Sequence, residues 1–149
     1  MKPAYKACLT TGSILVLLVA LLHVYIAFAG GQLYIYFGAG EEFYRLDESG
    51  SIIPMASTIV LSIIFFLFAI YGLSGAEIIR RLPFLKIGLW TIGIIFFLRG
   101  LYCFYELYQL LEVNDPILWR FFSFSIYSLV TGGFYLIGIL KLTRYERIL

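Results

Sequence analysis

Residues 87–110 read IGLWTIGIIFFLRGLYCFYELYQL, an apolar and aromatic run carrying two charges, Arg99 and Glu106. A transmembrane helix needs about 20 mainly apolar residues to cross a hydrocarbon core of about 30 Å. This run has that length, and the rest of the chain resembles it. Of 149 residues, 62% are hydrophobic and 13% charged, against about 25% charged in soluble domains. A water-soluble core of this size could not hide so much apolar surface, so lipid is the expected solvent.

Three further stretches have the same character, 9–29, 55–76 and 117–140. The expected fold is all-α: an integral membrane four-helix bundle in a single domain over 1–149, with helices at about 9–29, 55–76, 87–110 and 117–140 and an outer loop at 30–54. Pro54 and Pro116 stand just ahead of the second and fourth spans, where a missing N–H costs nothing. Asp115 is the expected N-cap of span four.

Orientation follows from the basic residues. Lys2, Lys6, Arg80, Arg81, Lys86, Lys141, Arg144 and Arg147 all fall on one side of a four-span chain. The opposite side holds Arg45 and the acids Glu41, Glu42, Asp47, Glu48, Glu112 and Asp115. Both termini are expected in the cytoplasm, and the location is the cell (inner) membrane. The first 30 residues also carry secretory-signal features, with AFAG at Ala27–Gly30 as a cleavage pattern. The apolar stretch is long for a signal, which favours a retained span.

The first loop holds Tyr34, Tyr36, Phe37, Phe43 and Tyr44 among glycines and acids. A short amphipathic piece lying on the surface is expected there, with a lid over an interhelical site as the alternative.

Arg99 lies near the middle of its span, where an arginine costs at least about 2.5 kcal/mol and should face the interior with a partner. Arg99, Tyr102, Cys103 and Glu106 form one stripe at i, i+3, i+4, i+7. Gly100 beside it lets a neighbouring helix come close. Folding the last two spans about Val113 sets Glu106 level with Arg120 and predicts an ion pair. It also sets Arg99 opposite Tyr127, on a span-four stripe of Arg120, Ser123, Tyr127, Ser128 and Thr131. His23 joins this outer layer from span one. The candidate binding residues are therefore His23, Arg99, Tyr102, Glu106, Arg120 and Tyr127. A satisfied polar network that only fixes helix register is the competing reading.

The segments LHVYIAFAGG (Leu22–Gly31), IIP ending at Pro54, FFLRG (Phe96–Gly100) and YSL (Tyr127–Leu129) resemble a family of small four-helix bacterial membrane proteins. That family carries H-x-Y-W-A-x-G-G in helix one and F-L-R-A in helix three. His23, Tyr25, Ala27, Gly30 and Arg99 occupy motif positions. The chain departs from the pattern at Ile26, where tryptophan is expected, and at Ala29, which changes the glycine spacing. The resemblance implies a bacterial cell-membrane protein with His23 and Arg99 linked. It implies no activity.

Composition narrows the function classes. Cys8 and Cys103 form no CxxC pair, and one histidine builds no zinc or bis-histidine haem site. No cofactor, metal or nucleic acid is expected. The leading expectation is a non-enzymatic membrane protein. It would bind a lipid, quinone or other anionic or carbonyl ligand, or a partner subunit, through the outer polar layer. A small dimeric transporter is a second reading, weakened by the lack of a central acid. A membrane enzyme using His23 and Glu106 as acid and base is a third. Membrane lipid and a homo-oligomer or partner subunit are the expected partners. Ser128 and Gly132 offer a small-residue packing face.

Overall fold

The structure, a computed structural model, describes residues 4–113 and 116–148. Among them every regular element is helical: α1 Ala4–Ala29, α2 Gln32–Tyr36, α3 Glu41–Glu48, α4 Ile53–Gly75, α5 Leu85–Glu112 and α6 Pro116–Ile148. Four of these, α1, α4, α5 and α6, are long and apolar enough to cross a membrane, and they are compatible with a membrane four-helix bundle. The expected N-cap at Asp115 and its neighbour Asn114 lie outside the described residues.

The helices outrun the apolar stretches from which they were read. α5 begins at Leu85 and ends at Glu112, and α6 continues to Ile148 through Lys141, Arg144 and Arg147. Hydropathy marks only the part that needs lipid. The helix continues where its backbone bonds remain favourable in water or at the headgroups. At 1.5 Å per residue α6 is about 50 Å long, well beyond a 30 Å core.

The chain forms two compact units, Met1–Leu15 with Phe68–Leu149, and Val16–Leu67. In the second unit, Ser62 Oγ donates to the Ala20 carbonyl at 2.8 Å, joining α1 to α4. The segment expected as a loop folds into α2 and α3. The turn after α1 needs glycine: Gly30 has φ +58°, and a Cβ there would stand 2.6 Å from Asp47 Oδ2. That same carboxylate accepts the Gly31 N–H at 2.7 Å. Tyr34 is buried and meets the Phe43 ring edge-on at 5.9 Å. Burial, and then the nearby Asp47 charge, raise the Tyr34 phenol above its ordinary value. α3 is an amphipathic helix that buries no residue, with Glu41, Glu42, Arg45 and Glu48 exposed.

In the first unit, Tyr135 is fully buried and its hydroxyl donates to the Phe68 carbonyl at 2.9 Å. The end bearing both chain termini is laced by charge. Glu77 accepts from Tyr5 Oη at 2.6 Å and from Lys6 Nζ at 2.5 Å. Glu146 accepts from Arg81 at 3.0 Å and from Lys86 at 2.5 Å. A cleft of about 60 Å³ lies among Ser74, Glu77, Arg81, Leu85, Leu142 and Glu146. It has room for a few waters only. Hydrogen bonds from Lys6 and then from Tyr5 hold the Glu77 carboxyl below the usual carboxylate range.

Candidate functional site

α5 and α6 form a close antiparallel hairpin seated on glycine. A Cβ on Gly93 would lie 2.8 Å from the Leu136 side chain, and one on Gly132 would lie 2.5 Å from the Phe97 backbone nitrogen. A Cβ on Gly100 would run into the backbone of Leu129. Gly100 thus admits a neighbouring helix as expected, and Gly132 serves the same contact from the other side. These three pairings share one register, which sets Arg99 level with Val130 and Glu106 level with Ser123.

That register corrects two expectations. Relative to a fold centred on Val113, the glycine contacts move α6 about three residues toward the end where α5 stops at Glu112 and α6 starts at Pro116. Arg120 then stands about one helical turn nearer the loop than Glu106. The ion pairs among the described residues join Lys6 to Glu77, Arg45 to Glu41, and Arg81 and Lys86 to Glu146. Glu106–Arg120 is not one of them. Glu106 is only 8% exposed, on the α5 face that packs against α6, and its Oε2 has no hydrogen-bond partner among the described residues. The Arg120 guanidinium carbon lies 5.0 Å from the centre of its neighbour Phe121's ring.

The second correction concerns Arg99. It is exposed, not enclosed, and its partner is not Tyr127. Nη1 donates to Ser125 Oγ at 2.6 Å, and the guanidinium carbon lies 5.8 Å from the centre of the Tyr102 ring. Ser125 is fully buried and so holds a fixed position. It is five residues nearer the loop than Val130, about 7.5 Å along the helix. The arginine stem is therefore drawn out along the hairpin, carrying its charge toward the loop end as snorkelling arginines do. Tyr102, 61% exposed, forms a shelf beside it. One of the five guanidinium donors is used by Ser125, leaving a cation with spare donors on an open face.

The hydroxyls expected to serve Arg99 are occupied elsewhere. Tyr127 Oη donates to the Leu15 carbonyl at 2.8 Å. Ser123, Ser128 and Thr131 donate to the carbonyls of Trp119, Phe124 and Tyr127, each one turn back on their own helix. Ser125 lies off that stripe, so helical periodicity carried no signal for it; only the hairpin register and the reach of the arginine identify it. Cys103 is a buried free thiol on the same packed face of α5.

His23 belongs to the other unit. It is half-buried, with Nδ1 2.7 Å from the Val19 carbonyl and its ring 5.0 Å from that of Phe65. A carbonyl only accepts, so Nδ1 carries the hydrogen in this contact. The hairpin gathers Arg99, Tyr102, Glu106 and Ser125, with Arg120 one turn beyond.

Compared with known proteins, the chain matches no protein-family model, no curated protein and no solved structure.

Proposed function

We propose that this chain is a small multi-pass membrane protein that binds, without catalysing a reaction, an amphiphile whose anionic or carbonyl group meets Arg99. The observation that carries the reading is the position of the guanidinium. It is anchored on one side by buried Ser125 and open on the other, beside the Tyr102 ring. Lys86 and Glu106 stand 20 residues apart on α5, about 30 Å of helix, which matches the hydrocarbon thickness. With the membrane so placed, the guanidinium rises to just below the headgroup level, where amphiphile heads reside. An open cation there gains more from an anion or carbonyl than from lipid chains.

Native mass spectrometry of gently extracted protein tests this. Wild type should carry a bound amphiphile, and Arg99→Gln should lose it while keeping its helical content. Equal adducts on both would overturn the reading.

The orientation belongs to the same proposal. Lys6, Arg80, Arg81, Lys86, Lys141, Arg144 and Arg147 gather at the end bearing the termini, which supports a cytoplasmic location for that end. In a bacterial host, a reporter active only in the cytoplasm should work when fused after residue 149 and fail when inserted in α3. The opposite pattern would reverse the topology.

A further inference from the structure

We propose a second lipid contact, at the end bearing the termini: Lys141, Arg144 and Arg147 on α6 hold the headgroup of an anionic phospholipid. It lies at the opposite end of the hairpin from Arg99 and does not depend on the reading of that residue. The first observation is unbalanced charge. The acidic side chains at this end are Glu77 and Glu146, and each already accepts from two donors. Tyr5 and Lys6 serve Glu77, and Arg81 and Lys86 serve Glu146. Lys141, Arg144 and Arg147 are exposed, and among the described residues none of them is in an ion pair.

The second observation is depth. Residues 121–140 of α6 carry no charge, and that run makes about 30 Å of helix, the thickness of a hydrocarbon core. Lys141 therefore stands at the hydrocarbon edge, with Arg144 about 4.5 Å and Arg147 about 9 Å beyond it, through the headgroup layer. The glycine register sets Lys86 level with Thr143, so α5 reaches the same edge at the same depth. The third observation is the face. Ile137 and Leu140 precede Lys141 and Arg144 by one turn, and residues four apart share a helical face. Both are exposed, at 47% and 55%, whereas Ile139 and Leu142 on the other side of the helix are buried. Each of these two cations thus stands directly beyond an apolar side chain left to lipid. A soluble anion would neutralise the cations but leave Ile137 and Leu140 uncovered. A soluble acidic protein would have to displace the headgroups to reach Lys141. A phospholipid meets both needs, its acyl chain along Ile137 and Leu140 and its phosphate at Lys141 and Arg144. Cations without acids select a headgroup of net negative charge.

The test reconstitutes the full chain in phosphatidylcholine vesicles with trace phospholipids spin-labelled on the acyl chain, read by electron paramagnetic resonance. Wild type and Arg99→Gln are both measured, so that the outer site is accounted for. In both, phosphatidylglycerol should associate about tenfold or more over phosphatidylcholine of identical chains. Lys141→Gln and Arg144→Gln should each cut that preference about fivefold, the share of one cation beside an anionic headgroup. The triple variant Lys141→Gln, Arg144→Gln, Arg147→Gln should show none, with helical content unchanged because all three side chains are exposed. Raising salt from about 0.05 to about 0.5 M should weaken the preference of wild type, a readout that needs no variant. Arg80→Gln removes the same charge from the α4–α5 connection and should leave the preference within about twofold, below the share of one cation at the site. An equal loss there would replace the site by diffuse attraction. No preference in wild type, or one that survives the triple variant, would overturn the proposal. A preference lost in Arg99→Gln and untouched by the α6 variants would belong to the outer site and overturn this one. Displacement of the lipid by excess glycerol phosphate would overturn the assignment to a lipid.

Discussion

Arg99 shows how a charge is carried inside an apolar helix. Its Cα lies within an apolar span, but a long flexible stem lets the cation sit elsewhere. What the stem needs is a fixed point to hold it extended, and Ser125 supplies that point at 2.6 Å. Ser125→Ala should therefore weaken amphiphile binding by about tenfold, less than Arg99→Gln, because the charge survives but loses its anchor; a hydrogen bond to a charged group is worth about 1.5 kcal/mol at the low end. Competition binding with a labelled phospholipid measures this. Equal losses in the two variants would mean that Ser125 contacts the ligand directly. The stripe of Arg99, Tyr102 and Glu106 was legible from spacing alone. Ser125 was not, because its role depends on how far a long side chain reaches across to another helix.

The hairpin of α5 and α6 is the element that makes the site, and its register is held by glycines. Gly100 lies against the Leu129 backbone, and Gly132 against that of Phe97. No side chain fits at such separations, and in lipid the close backbone approach is itself the source of helix association. Gly100→Leu should push α6 away and destabilise the protein by about 3 kcal/mol or more, above the usual cost of overpacking because backbone rather than a side chain must yield. It should also uncouple Arg99 from Ser125. Thermal unfolding in detergent, followed by circular dichroism, checks the first effect. A Tm equal to that of wild type would show that the hairpin can repack. The four long helices themselves were readable because apolar length is a local property. The expected Glu106–Arg120 pair failed because the glycine contacts between α5 and α6, and not the position of Val113, set which residues face each other.

Across the whole molecule, charge is arranged by end. At the end bearing the termini, Glu77 and Glu146 tie together the start of α1, the α4–α5 connection, the start of α5 and the end of α6. Glu77 has a folded pKa below its ordinary 4.5. Its contribution is therefore fully present above that value and is lost as pH falls through the folded pKa, because the unfolded chain binds the proton more readily. Tm should hold steady from pH 7 to about 5 and drop below about 4.5, and Glu77→Gln should flatten part of that drop. An unchanged acid slope in the variant would remove Glu77 from the account. The sequence alone determined the class of solvent, the number of spans and the gathering of cations at one end, since each depends on composition along a short stretch. Only the tertiary structure decided that Arg99 opens outward, that Ser125 anchors it, and that Glu106 stands without the partner its neighbourhood promised. Those outcomes depend on helix register to within one turn, which is set by contacts between residues tens of positions apart.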